Sequence, residues 1–311
     1  MINVKEFNSL MELMEAFPTE ESCIKYLESL YWKDGVVISP YDRKSKVYIY
    51  SNNRYICKNT GLTFNVKTGT IFHNTKLSLR KWFIAIWLIT SHKKGISSLQ
   101  LSRDIKVTQK TAWFLLHRIR FCLDAENVNV LDKEVEADET FIGGKNKNRC
   151  GDKKVEGSQG RSCKDKTSVL GMIQRKGKVT ARVIENTSQS EITPLIKEYI
   201  LRSATLYTDE WSGYNEVSKL YNHFRVNHSM GEYVNGDAYT NTIEGFWTLL
   251  KRGYVGIYHS MSRKYLHRYV DEFVFRYNTR KMSESDRFID ILGRTCAYRM
   301  TYNDLKYGVA A

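Results

Sequence analysis

The order of secondary-structure signals after residue 133 is the feature that most narrows the fold of this 311-residue chain. Alternating and apolar runs predict three consecutive strands, and Lys176-Gly177 marks a hairpin turn between the second and third. A helix, a strand, a further strand and two closing helices follow. These elements are expected at 135–142, 168–174, 179–184, 191–201, 204–208, 223–227, 240–252 and 262–279. The pattern predicts an α/β domain.

Three acids occupy informative places in this pattern. Asp138 lies within the first strand, and Asp209 ends the apolar run 204–208. Glu244 borders the apolar stripe of a helix, and Lys251 follows two turns later on nearly the same face. The order of elements matches an RNase H-like fold, which we expect over residues 131–282.

Carboxylates grouped in this way suit phosphoryl transfer between nucleic-acid strands. Two Mg²⁺ ions about 3.5–4 Å apart can activate an attacking oxygen and stabilise the leaving oxygen. Mg²⁺ prefers oxygen ligands and keeps several waters, so a few carboxylates suffice. We therefore predict that Asp138 bridges two Mg²⁺ ions, with Mn²⁺ as a substitute, and that Asp209 and Glu244 each hold one side. Lys251 is expected to contact a phosphate near the cut.

Neighbouring acids leave the assignment open at two positions. Glu139 and Glu210 adjoin the chosen aspartates. Strand alternation puts Glu136 and Asp138 on one face and Glu139 on the other, so either carboxylate of the 138–139 pair could face the site. Asp209 could also be an ordinary turn cap.

Residues 76–130 predict a DNA-binding helix-turn-helix. A short helix at 97–105 and a second helix capped by Thr108 flank a turn at Lys106-Val107. The second helix has a basic face opposite an apolar one, and the N-terminal residues of such a helix enter the major groove. The predicted DNA-binding residues are Gln109, Lys110, Arg118 and Arg120; an ordinary helical hairpin with a solvated basic face is the alternative.

The motifs together resemble DDE-type insertion-sequence transposases, in the ISXO-type branch that places a zinc ribbon and a helix-turn-helix before the catalytic domain. The resemblance covers nearly the whole chain. The 34 residues between Asp209 and Glu244 also match that superfamily's spacing. In related branches an asparagine takes the third acid position, which makes Asn241 a rival or helper of Glu244. The matching segments are 137–145, 208–214, 241–247, 250–253 and 275–278.

The resemblance implies a zinc ribbon within residues 1–75, and here the sequence departs from the family. Zinc needs four ligands, usually two CxxC pairs. The expected pairs fall on residues 39–42 and 57–60, where Cys57 is the single remaining cysteine. We predict a degenerate ribbon with no structural zinc, and a core supplied by Tyr48, Tyr50, Tyr55 and Phe64. Residues 283–311 remain as a C-terminal tail.

The bulk composition bears on partners and on compartment. The 48 Lys and Arg against 34 Asp and Glu give a net charge of +14, which favours a nucleic-acid partner. No run approaches the roughly 20 apolar residues of a membrane span, and no secretory signal is recognisable at the N-terminus. Six scattered cysteines suit a reducing compartment, so we expect a cytoplasmic protein without a membrane partner.

The resulting hypothesis is a transposase that cuts and joins DNA at the ends of an insertion sequence. Its partners would be the double-stranded terminal inverted repeats and the target DNA. Because two ends must be held together, a homodimer or a higher synaptic complex is expected. A structure-specific nuclease on the same scaffold and a catalytically inactive DNA-binding regulator derived from a transposase remain alternatives.

Overall fold

The computed structural model describes residues 7–144, 146, 150–158, 162–226, 240–297 and 299–308. Within these ranges the chain forms two compact units. The first contains the chain up to Cys122 together with the segment from Lys281 onward. The second runs from Leu123 to Arg280. We call the first the N-terminal unit and the second, after the role that the sequence predicts for it, the catalytic unit.

A five-stranded mixed sheet forms the centre of the catalytic unit. Its strands are β4 (Glu134–Ile142), β5 (Thr167–Gln174), β6 (Val179–Ile184), β7 (Thr205–Asp209) and β8 (Asn222–Val226). They lie in the order β6-β5-β4-β7-β8. The first three are antiparallel, whereas β7 runs parallel to β4, and β8 runs parallel to β7. The α/β class predicted from the sequence is therefore confirmed.

Helices cover both faces of this sheet. On one face, Ile192 and Ile196 of α6 (Gln189–Tyr199) pack with Val135 and Leu170 of the sheet. On the other face lie α7 (Asn241–Gly253) and α8 (Leu266–Asn278), separated by a π-helical turn and a 3-10 turn. Their apolar side chains join Val169, Ile173 and Val179 in a second core. The helix expected over 262–279 thus begins as a 3-10 turn.

Two asparagines satisfy the backbone of the edge strand β6. Asn278, at the end of α8, accepts from Val179 N at 2.8 Å and donates to Val179 O at 3.0 Å. The buried Asn127 bonds Ala181 N and O in the same way. Its amide also donates to Asp271, where burial raises the carboxyl pKa to about 6. At Val179 and Ala181, these side chains supply the backbone hydrogen bonds that an edge strand otherwise leaves open.

Helices and a small sheet make up the N-terminal unit. The helices from before the catalytic unit are α1 (Leu10–Ala16), α2 (Glu20–Tyr31), α3 (Leu79–Ser91), α4 (Ser98–Asp104) and α5 (Gln109–Phe121). Those from after it are α9 (Glu284–Arg294) and α10 (Tyr302–Tyr307). The ring of Phe288 on α9 lies 5.5 Å from that of Phe83 on α3. The segment expected as a separate tail from residue 283 therefore contributes to this core.

A three-stranded antiparallel sheet stands where the ribbon was expected. It comprises β1 (Val47–Ser51), β2 (Arg54–Cys57) and β3 (Thr63–Phe64), with a turn at Asn52-Asn53 between the first two strands. Tyr55 and Phe64 pack with Trp32, as ring distances of 5.0 and 6.4 Å from Trp32 show. Tyr48 and Tyr50, expected in this core, are instead 51% and 63% exposed. That expectation was wrong because the core lies on the opposite face of the sheet from Tyr48.

Among the helices of the described ranges, none combines the length and the apolar character that a membrane crossing requires. The strongly apolar helix α3 has 13 residues, nine of which are buried within the N-terminal unit.

Candidate functional site

Asp138 lies in the central strand of the catalytic sheet. On β5 its cross-strand partner is Gly171, and its Oδ2 accepts a hydrogen bond of 2.9 Å from the indole N–H of Trp247 on α7. A Cβ at Gly171 would come within 2.5 Å of the Trp247 ring. The glycine therefore leaves the space through which the tryptophan reaches this carboxylate.

Asp209 ends β7 beside this position. Its side chain is 7% exposed, and its Oδ1 accepts from the backbone N–H of Trp211 at 3.0 Å. Asp138, Glu139 and Asp209 each offer one carboxylate oxygen, and these oxygens all lie within 4.8 Å of one another. The structure thus brings together Asp138 and Asp209, two of the three predicted acids. It adds Glu139 to the group, the residue that remained an alternative to Asp138 in the sequence analysis.

The hydroxyl of Tyr214 is buried close to the same group of acids. Burial raises its pKa well above the ordinary value, and the charges of Glu139 and Asp138 raise it further. The phenol therefore stays neutral beside the carboxylates. Grouped carboxylate oxygens form the donor set that Mg²⁺ and Mn²⁺ prefer, so Asp138, Glu139 and Asp209 fit such ions.

The helix carrying Glu244 is anchored to the central strand by Glu136. This fully buried carboxylate accepts from the backbone N–H groups of Thr242 and Ile243, at 2.9 and 3.0 Å. It also accepts from the Thr242 hydroxyl, and Arg175 pairs with it at 2.9 Å. N–H groups of the first helical turn lack partners within the helix, and negative charge there is favourable. Glu136 therefore sets where α7 begins against the sheet.

Glu244 and Lys251 occupy exposed positions on α7. Glu244 lies one turn before Trp247 but outside the group of close carboxylates around Asp138. Lys251 lies in the last turn of the same helix, and Asn241 is its exposed first residue. Glu244 and Lys251 thus face solvent on a helix whose first turn is bonded to the sheet through Glu136.

A chain of hydrogen bonds supports the strand that ends in Asp209. The Thr208 hydroxyl donates to the Asp209 carbonyl at 2.8 Å, so it accepts from His223 Nε2. Nδ1 of that ring then accepts from the Ser218 hydroxyl at 2.6 Å. Burial and the nearby Arg225 lower the pKa of His223 to about 4, which keeps the ring neutral and preserves these donor and acceptor roles.

The predicted DNA-binding residues divide into two groups. Gln109 and Lys110 are exposed in the first turn of α5, which follows α4 after a four-residue connection. Arg118 and Arg120 are 5% and 1% exposed. Arg118 donates to the His73 carbonyl at 3.0 Å and lies over the Trp82 ring. Because both arginines are buried, they are no longer candidates for DNA contact. The helix-turn-helix remains a prediction, with Gln109 and Lys110 as its DNA-contacting residues.

Sequence reasoning missed the roles of three residues around the carboxylates. Glu136 shares a strand face with Asp138, a signal that could have marked it as a neighbour of the site. Trp247 belongs to the apolar stripe of its helix, but a buried indole N–H also needs an acceptor, and that need could have pointed to a nearby carboxylate. Nothing in the sequence marks Gly171 as important. A side chain is excluded there only because α7 packs on that part of β5.

Comparison with known proteins gives three relevant similarities. Residues 130–278 match the family of ISXO2-like transposase domains. An uncharacterized protein in transposable element ISH50 of Halobacterium salinarum is 30% identical over 277 residues, covering 85% of this chain and 92% of that protein. An uncharacterized transposase-like protein of Haemophilus influenzae is 30% identical over 105 residues, covering 33% of this chain and 83% of that protein.

A solved structure of a pre-cleavage Mos1 transpososome aligns with 93% of this chain and 97% of its own chain, at 10% identity. Its TM-score of 0.18 is too low to carry an argument about the fold. The family assignment rests instead on the matched domain and on the ISH50 relative, because the alignment with that relative covers most of both proteins. The chain belongs to the insertion-sequence transposases with an ISXO2-like transposase domain.

Proposed function

We propose that this chain is a DDE-type DNA transposase that binds the ends of an insertion sequence and catalyses metal-dependent strand cleavage and strand transfer. One observation carries the proposal: oxygens from Asp138, Glu139 and Asp209 lie within 4.8 Å of one another. The strand order around them supports an RNase H-like catalytic unit. Membership of a transposase family supplies the substrate class.

Asp138 and Asp209 are the proposed metal ligands, and Glu244 on α7 is the proposed third. Mg²⁺ or Mn²⁺ bound here would neutralise phosphate charge and make water or a 3′-hydroxyl nucleophilic. The indole of Trp247 orients Asp138, and the backbone N–H of Trp211 orients Asp209. Glu136 holds the first turn of α7, so that Glu244 and Lys251 project from a fixed helix. Lys251 would contact a phosphate of the bound strand.

The test is cleavage of DNA that carries the element's own ends, with Mg²⁺ or Mn²⁺, comparing wild type with Asp209→Asn. We expect cuts at the ends that require metal and disappear in the variant, while DNA binding persists. Glu210→Gln is the matched control, because this exposed acid adjoins Asp209 and its loss should leave cleavage intact.

The outcomes separate the candidate functions. Equal cleavage by wild type and Asp209→Asn would contradict the carboxylate assignment. Binding without cleavage in either protein would favour a DNA-binding regulator. Metal-dependent cuts with no preference for the element ends would favour a nuclease.

Pairing of the two ends further implies a homodimer or a higher synaptic complex on DNA. Light scattering of the complex with paired end fragments should give a mass containing at least two chains. A complex of monomer mass would contradict this part of the proposal.

A further inference from the structure

The small sheet of the N-terminal unit has one face turned away from its core. Tyr55 and Cys57 of β2 point inward, where Tyr55 packs on Trp32 and Cys57 is fully buried. Side chains alternate along a strand, so Arg54 and Ile56 point the other way. Tyr48 stands opposite Ile56 across the β1–β2 pair. Lys46 and Lys58 continue the same face, joined by a backbone hydrogen bond of 2.9 Å. We call this set the outer face: Lys46, Tyr48, Arg54, Ile56 and Lys58.

The outer face is basic and lacks compensating acids. Lys46, Arg54 and Lys58 are exposed, and none forms an ion pair within the part of the chain that the structure describes. Residues 41–62 contain five Lys or Arg and one acid. That acid, Asp42, accepts from the Asn59 amide at 2.7 Å. Uncompensated cations around an exposed tyrosine are the surface that a nucleic-acid backbone favours.

A polar cavity adjoins this face at the β1–β2 turn. Its volume is about 180 Å³, and it is lined by Asn52, Asn53, Arg54, Asn65 and Lys67 together with the apolar Ile24 and Val66. Lys67 pairs with Glu20 at 3.5 Å, so Arg54 is the cation of this lining that a phosphate would meet. The asparagine amides and the Arg54 guanidinium can donate hydrogen bonds to a phosphate oxygen. Arg54 belongs both to the outer face and to the cavity, so a bound strand could pass from one to the other. The cavity is a second observation that points to an anion.

We propose that the outer face and the turn cavity bind the sugar–phosphate backbone of DNA without reading its sequence. The inference rests on the proposed function only in naming DNA as the polyanion. Lys46, Arg54 and Lys58 would contact phosphates, while Tyr48 would lie against the sugar–phosphate chain. Such contacts hold and position the duplex, whereas sequence is read by contacts to base edges.

The test measures how affinity for a 30-base-pair duplex of unrelated sequence depends on salt, in EDTA so that no strand is cut. Loss of three phosphate contacts in the variant K46A/R54A/K58A should lower the slope of log K against log salt by about 2 to 3. Affinity at 0.1 M salt should fall by about tenfold or more. The control variant K25A/K197A/K219A removes the same charge from exposed lysines elsewhere and should keep the wild-type slope.

An unchanged slope in the outer-face variant, or an equal loss in the control variant, would overturn the proposal. The conservative variant K46Q/R54Q/K58Q keeps polar side chains at these exposed positions, and it should show the same loss with an unchanged thermal midpoint. Because binding is measured without metal, the result is independent of the cleavage test with Asp209→Asn. Cleavage that persisted in Asp209→Asn would contradict the catalytic assignment and leave this surface untouched.

Discussion

Glu136 and Asp138 lie two residues apart on one face of β4, yet their carboxylates have different surroundings. Glu136 is fully buried, paired with Arg175 and bonded to the first turn of α7. Asp138 is half-buried and close to Asp209. A buried carboxylate such as Glu136 requires such partners to remain charged. A partly exposed carboxylate beside other acids, such as Asp138, can bind a cation. Their surroundings therefore give the two acids different roles.

Two single substitutions, Glu244→Gln and Glu139→Gln, can identify the third metal ligand. We predict that Glu244→Gln lowers metal-dependent end cleavage by about 100-fold or more, since weaker changes around metal ligands already cost 10- to 100-fold. We predict that Glu139→Gln has a smaller effect, because that acid belongs to the opposite face of β4. Cleavage rates at saturating Mg²⁺, with DNA binding measured separately, provide the check. The reverse order of effects would make Glu139 the third ligand.

At the scale of elements, the position of α7 depends on two close approaches to the sheet. Its first turn bonds Glu136, and its Trp247 lies above Gly171 on β5. The Thr240 side chain makes no capping hydrogen bond to the helix. The capping role is therefore filled from the sheet, which couples the helix carrying Glu244 to the strand carrying Asp138.

We predict that Gly171→Ala and Gly245→Ala change stability in opposite directions. A methyl group at Gly171 would lie 2.5 Å from the Trp247 ring and 2.9 Å from Ile243, so overpacking should cost about 1–3 kcal/mol. At Gly245, on the exposed side of the same helix, nothing lies within 4 Å. Alanine there should stabilise the protein by about 0.5–1 kcal/mol.

Denaturant unfolding measures both changes, and end cleavage should fall only in Gly171→Ala, because only that change moves Trp247 away from Asp138. Equal stability of the two variants would contradict the close approach of helix and sheet.

For the whole molecule, the metal content is predicted to be limited to the catalytic site. In the described part of the N-terminal unit, no group of three or more His, Cys, Asp or Glu side chains could hold an ion. Hydrogen bonds to Ser39, Ser45 and Thr60 lower the pKa of Cys57 to about 6, against the effect of burial. We therefore predict that packing and these hydroxyl groups, without zinc, hold the small sheet together.

Purified protein should therefore contain no stoichiometric zinc by elemental analysis. A strong chelator should leave its far-ultraviolet circular dichroism and thermal midpoint unchanged, because no ribbon metal contributes to folding. Cys57→Ser, which keeps a hydrogen-bonding atom, serves as the control and should show the same insensitivity. Unfolding by chelator that Zn²⁺ reverses would contradict the prediction.

Local pattern was enough for the order of elements in the catalytic unit and for the places of Asp138 and Asp209. Strand and helix periodicities are properties of neighbouring residues, and an acid at a strand end is visible in the chain itself. The role of Gln109 and Lys110 in reading DNA and the function of Glu244 remain predictions after the structure.

Tertiary structure alone decided which side chains these elements bury. The basic face predicted for α5 includes Arg118 and Arg120, yet both are buried, and Arg118 donates to the carbonyl of His73, 45 residues earlier in the chain. Residues after Lys281 join the core of that same unit, although the catalytic unit separates them in sequence. Glu139 joins the group of acids because β7 lies beside β4. Periodicity defines a face of each element, but the contacts that cover the face come from residues far along the chain.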